Sequence, residues 1–181
     1  MQNKEAFIKA NGSLDDEALG GIFDEYAPAL YKYLLRLGLG SQEADQTVGD
    51  VFVRLLEKVS EGKGPHSNIR SYLFQIAYHL VVDQARDRQR AAPLESADTV
   101  EGEVKSIPAQ AEETMLLETL SVAMDQLSID QRNVIVLRFQ EGFSLKETAE
   151  IVDKNVNAVK ALQNRGINRL RETMSSGNVS D

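Results

Sequence analysis

Residues 127–171 read LSIDQRNVIVLRFQEGFSLKETAEIVDKNVNAVKALQNRGINRLR, and this stretch decides the fold. Two capping boxes punctuate it: Ser128 to Gln131 ahead of VIVLRF, and Ser144 to Glu147 ahead of TAEIV. In each, the Ser hydroxyl accepts from the amide three residues on while the Gln or Glu side chain reaches back to the Ser amide. Two donors that a helix start leaves open are satisfied together. Gly142 ends the first of these helices, and Asp153-Lys154-Asn155 makes a tight break. Asn155 is placed to cap a last helix that reaches about Met174. A short helix, a three-residue turn and a longer helix is the sequence form of a helix-turn-helix.

The last helix carries the chemistry. From Lys154 to Arg171 there are five basic residues (Lys154, Lys160, Arg165, Arg169, Arg171) and no acid. Ala158, Val159, Leu162, Gly166 and Leu170 recur at three/four spacing and should face the preceding helices. Asn157, Lys160, Ala161, Asn164, Arg165 and Asn168 then fall on the opposite side. Lys and Arg supply phosphate attraction and guanine readout, Asn offers a paired donor and acceptor, and a small Ala lets the backbone approach. First-turn amides after Ser144 would suit a phosphate. Complementing the helix dipole accounts for Arg169 and Arg171, but not for Lys160 or the Asn-rich face. The pattern points to DNA.

N-terminal to this lies AAPLESADTVEGEVKSIPAQAE, residues 91–112, with two of the four prolines, one Lys and five acids. It has no helical or strand period and reads as an acidic flexible linker. The expected units are therefore 14–90 and 113–175. In the first, Leu19, Ile22, Phe23, Tyr26, Leu30, Tyr33, Leu34 and Leu37 have helical spacing. Gly38 and Gly40 stop that helix, and Ser41 is placed to cap the next. The second helix should turn Ala44, Val48, Val51, Phe52, Leu55, Leu56 and Val59 inward. After the loop SEGKGPHSN, a third helix runs from about Ile69 to Arg90 and ends in RDRQR, residues 86–90. That basic end fits dipole complementation and DNA contact equally. Phe74 reads as core, whereas Tyr72 and Tyr78 fit either core or a stacking surface for unpaired bases. Nothing alternates at period two, so the fold class is all-α, two small helical domains joined by the linker.

Composition narrows the function classes. There is no Cys, which removes disulfides, thiolate metal sites and Cys nucleophiles, and two His (His66, His79) do not make a metal site. No Gly-rich phosphate loop, GxSxG or histidine–carboxylate arrangement is present, so no catalytic residues, cofactor or small-molecule substrate are expected. The longest apolar run is Val134 to Leu137, too short for a spanning helix or signal peptide, and the expected compartment is cytoplasmic with no membrane partner. The net charge of −8 would ordinarily argue against nucleic acid. Half of that excess sits in the linker, so the low whole-chain charge opposes tight DNA binding by the free chain and leaves the basic helix intact as a reader. Glu43 and Asp45 read as a solvated face, while Asp50, between Val48, Val51 and Phe52, fits a protein-binding surface.

Four blocks, FDEYAPALYKYLLRLGL, EADQTVGDVFVRLLEKV, IRSYLFQIAYHLVVDQARDRQR and the opening stretch, together resemble a bacterial RNA polymerase sigma factor of the sigma-70 family, extracytoplasmic-function (ECF, group IV) type. The resemblance implies a region 2 domain, a linker and a region 4 helix-turn-helix domain. It implies core RNA polymerase (the β′ coiled coil and the β flap), promoter DNA and an anti-sigma factor as partners. Val48, Gly49, Asp50 and Phe52 fall at the surface for the β′ coiled coil; Gln46, Thr47 and Gly49 depart from the usual Asp, Leu and Gln. Residues Glu61 to Asn68 and the third helix correspond to the element that captures a flipped base of the −10 element, with Asn68, Tyr72, His79, Arg86 and Arg88 as contacts. Tyr72 stands where Trp is common and His79 where Asn is. Ser144, Asn157, Lys160, Ala161, Asn164 and Arg165 fall at −35 positions, and Gln163 replaces a frequent Leu or Ile. The rival reading is a repressor or activator that binds duplex DNA alone and uses its first unit to dimerise or sense a ligand.

Overall fold

The computed structural model describes residues 16–65, 68–91 and 119–176, which form helices joined by turns, with no strand among them. The chain divides into two compact units, Met1–Val100 and Glu101–Asp181. The expected linker, 91–112, lies outside the described residues apart from Ala91, and so does His66.

The first unit is three helices: α1 (Asp16–Arg36), α2 (Ser41–Ser60) and α3 (Ile69–Ala91), each packed on the other two. Leu30, Tyr33 and Leu34 of α1, Val51 and Leu55 of α2, and Leu73, Phe74 and Ala77 of α3 are fully buried. The rings of Tyr33 and Phe74 meet with centroids 5.0 Å apart. Why α1 stops where it does is visible in its hydrogen bonds. Leu39 N–H donates to the Leu34 carbonyl at 3.2 Å and Gly38 N–H to the Leu35 carbonyl at 2.9 Å. This closure needs a left-handed residue, and Gly38 supplies it at φ 94° without a Cβ clash. Leu39, the next residue, is buried. Ser41 does not cap α2: the cap position belongs to Gly40, whose extended backbone precedes the helix, and Ser41 is the first helical residue. Phe23 and Leu56, expected inward, are 44% and 39% exposed, because two neighbours cover only one side of α2 and of the start of α1.

In the second unit, residues 119–125 are helical and lead into α4 (Ile129–Ile135), which continues as a π-helical turn over Val136–Gln140. Then come α5 (Leu145–Ile151) and α6 (Val156–Ser176). Both capping boxes form as expected, at Ser128 with Gln131 and at Ser144 with Glu147. Val134, Leu137, Phe143, Ile151 and Val159 make the core; burying a ring such as Phe143 contributes about 2 kcal/mol. Arg132 ties α4 to the segment before it, donating to the Met124 carbonyl from Nε (3.0 Å) and Nη2 (2.7 Å) and to Asp125 (2.8 Å). The turn between α5 and α6 repeats the closure seen after α1, with Lys154 N–H on the Ala149 carbonyl at 3.0 Å. Here Asp153, not a glycine, takes the left-handed position at φ 49°. No helix among the described residues is long and apolar enough to cross a membrane.

Candidate nucleic-acid interface

The helix-turn-helix presents its last helix as the alternating spacing requires. Asn155 caps α6, its side-chain oxygen accepting from Ala158 N–H at 2.8 Å. Val159 and Gly166 are buried, Ala158, Leu162 and Leu170 half-buried, and Asn157, Lys160, Ala161, Asn164, Arg165 and Asn168 all exposed. At Gly166 α6 lies close against α4: a Cβ there would stand 3.1 Å from a side-chain carbon of Ile135. Of the five cations, Lys154 is half-buried and turned back onto Asp130 of α4 at 3.2 Å, and Arg169 lies 3.9 Å from Glu172 on its own helix. Lys160, Arg165 and Arg171 make no ion pair among the described residues. Arg165 makes one contact, from Nε to the Ala161 carbonyl at 3.3 Å, which leaves its other donors outward.

Ser144 is exposed at the start of α5, but its polar groups are engaged. Its hydroxyl accepts from Glu147 N–H at 3.2 Å and its own N–H donates to the Glu147 carboxylate at 2.8 Å. What this helix start offers a phosphate is therefore the amides of Leu145 and Lys146, beside a carboxylate that works against it. Gln163 is not on the outer face. It is half-buried, accepting from Nε of Arg138 at 3.2 Å.

In the first unit, Asn68 caps α3, its side-chain oxygen accepting from Ser71 N–H at 3.1 Å. Tyr72 is half-buried, and its hydroxyl donates to the Lys63 carbonyl at 3.3 Å, tying α3 to the preceding loop. Burial pushes its phenol above the ordinary value, Glu61 adds to that and Lys58 opposes it, so at neutral pH the hydroxyl keeps its proton. Tyr78 is buried and belongs to the core; its ring lies 5.4 Å from that of half-exposed His79. The basic end of α3 is compensated by acids: Arg86 by Asp83 at 3.6 Å, Arg90 by Asp87 at 3.8 Å, and Arg88 by Glu43 at the start of α2. Glu43 is thus a partner and not simply a solvated carboxylate.

On α2, Gly49 and Asp50 are exposed, whereas Val48 and Phe52 are buried and can only back the surface they were expected to form. The exposed apolar groups there are Val53 and Leu56, with Phe23 from α1 tilted against Phe52, their ring centroids 4.8 Å apart. A helical period alone puts Phe23 and Leu56 on the covered side, and only the observed packing reveals this face. No cluster of metal-ligating side chains occurs among the described residues.

Comparison with known proteins agrees with both units. The Sigma-70 region 2 profile matches residues 22–91 and the Sigma-70 region 4 profile residues 123–172. The chain is 29% identical over 165 residues to the ECF RNA polymerase sigma factor SigX of Bacillus subtilis, covering 88% of this chain and 84% of that protein. It is 30% identical over 159 residues to the ECF RNA polymerase sigma factor EcfG of Rhodopseudomonas palustris, covering 87% and 83%. Among solved structures, the sigma factor RpoE from Bartonella quintana, in complex with the anti-sigma factor NepR, aligns with a TM-score of 0.68 at 26% identity, over 88% of this chain and 98% of that one.

Proposed function

This chain belongs to the sigma-70 family, in its extracytoplasmic-function branch, and directs promoter-specific initiation of transcription; on that premise we propose how its two units divide the work. The second unit reads the −35 element with Asn157, Lys160, Ala161, Asn164 and Arg165 of α6 in the major groove, and Ser144 marks the helix start that meets the backbone. The first unit opens the −10 element. Asn68 and Tyr72 hold the loop before α3 against that helix, and His79 lies on the same helix, so a base leaving the stack would be taken between loop and helix. Trapping it offsets a few kcal/mol of unstacking. Arg86 and Arg88 reach phosphate only by exchanging Asp83 and Glu43 for it.

Gly49 and Asp50, with Val48 and Phe52 behind them, form the face for the β′ coiled coil, and the second unit takes the β flap. The stretch 91–112 joins units at 14–90 and 113–175. An anti-sigma factor covering one of these faces is the expected antagonist, and the compartment is the cytoplasm. Sigma factors are not enzymes; the chemistry belongs to the polymerase. The rival repressor reading needs a first unit that dimerises or senses a ligand, and a region 2 domain occupies that place.

The observation that carries this reading is the exposed face of α6, where the five groove candidates lie together, with Asn168, over a buried seam. Reconstitution with sigma-free core RNA polymerase tests it. Promoter-specific transcripts should appear only with both components, and their absence would sink the reading.

A further inference from the structure

Arg138 joins three parts of the helix-turn-helix. It sits in the π turn after α4, donates from Nη1 to the Phe143 carbonyl in the connection to α5, and donates from Nε to the Gln163 side chain on α6 at 3.2 Å. One turn along the same seam, Gly166 of α6 stands against Ile135 of α4. The pairs Ile135–Gly166 and Arg138–Gln163 are thus three residues apart on both helices, which places them as consecutive fixed points of one helix–helix contact. Their physics differs. The Gly166 contact sets how close the helices come, but an apolar contact has no preferred direction. The Arg138–Gln163 bond is directional. Gln163 precedes Asn164 by one residue, about 100° around the helix, on the flank between the buried seam and the outer face. Holding it therefore fixes the rotation of α6 about its axis.

Rotation decides which base edge Lys160 and Asn164 meet. Paired readout of a base requires side-chain placement within about 0.5 Å and 10–20°. We propose that the Arg138–Gln163 pair positions α6 and so sets the −35 base preference of this sigma factor, an inference that rests on α6 being the −35 reader. Neither residue need touch DNA.

The test uses the full chain with core RNA polymerase on a promoter library randomised at the −35 and −10 positions, with transcripts read by sequencing. Gln163→Leu keeps the volume and removes the acceptor; discrimination at −35 should fall about fivefold or more, while the −10 preference stays as in wild type. Gln163→Glu restores an acceptor for Arg138 and should retain the −35 preference. Arg138→Lys, which cannot serve both acceptors in the same geometry, should flatten it like Gln163→Leu. The retained −10 preference in each variant reports a polymerase-bound chain, and an unchanged denaturant midpoint of the full chain reports that the helix-turn-helix itself is still folded. A wild-type −35 preference in Gln163→Leu and Arg138→Lys would overturn the positioning role. If instead Lys160→Ala with Arg165→Ala left that preference untouched, α6 would not be the reader at all.

Discussion

At the end of α3, Arg86, Arg88 and Arg90 each meet a carboxylate, whereas on α6 Lys160 and Arg165 meet none among the described residues. Both stretches are written in the sequence as short basic clusters on a helix. Surface ion pairs of the α3 kind contribute at most about 1 kcal/mol each, yet each must be given up before its guanidinium can hold a phosphate. Unlike Arg169, which lies beside Glu172, Lys160 and Arg165 have no ion pair to give up among the described residues. Counterion release then favours them directly, so charge in the second unit is available for promoter contact in a way that charge at the end of α3 is not. A basic residue becomes a DNA ligand by what its neighbours leave undone.

The largest effect separates the two regions. Lys160→Ala with Arg165→Ala should lower promoter-specific transcription in vitro by about tenfold or more, since each good base contact carries about 1–3 kcal/mol. Arg86→Ala with Arg88→Ala should cost no more than about threefold; an equal loss there would erase the contrast. A third arginine extends it inward. Arg132 is only 13% exposed at its side chain and bonds Met124 and Asp125, so Arg132→Met should lower the stability of the second unit by about 2 kcal/mol. Denaturant unfolding of the full chain reads this, and a change below about 0.5 kcal/mol would place Arg132 with the α3 cluster.

The smallest effect concerns an acid held between cations. Lys63 and then Lys58 keep the Glu61 carboxyl below its ordinary value, by hydrogen bonds at 3.1 and 3.2 Å. A carboxyl that gives up its proton more readily folded than unfolded stabilises the fold above its unfolded pKa. That contribution disappears as pH falls through the folded value. An NMR titration should find Glu61 below 4.5, returning upward in Lys63→Ala; no upward movement would remove Lys63 as the cause.

How far each feature could be read from sequence follows its range. Both capping boxes and the two faces of α6 depend on residues three or four apart, and the sequence reading placed them. Ser41 shows the limit of local pattern: a capping residue type is visible, but the extended backbone that makes a cap fell to Gly40. Phe23 and Leu56 show another, because apolar spacing does not say how wide a stripe the neighbouring helices will cover. Arg88 with Glu43 and Arg138 with Gln163 join positions far apart in the chain. Their pairing is decided by helix packing, and no local pattern announces it.

Gly166 has a further consequence, for cooperativity. A glycine inside a 21-residue helix lowers its intrinsic helicity by about 1 kcal/mol relative to alanine. The residue that lets α6 dock on Ile135 therefore weakens α6 as a free-standing helix, so its order is supplied by the seam it closes. Helix and scaffold should then open and close as one foldon, and the six exposed side chains of α6 form a common face only while the core behind them is shut.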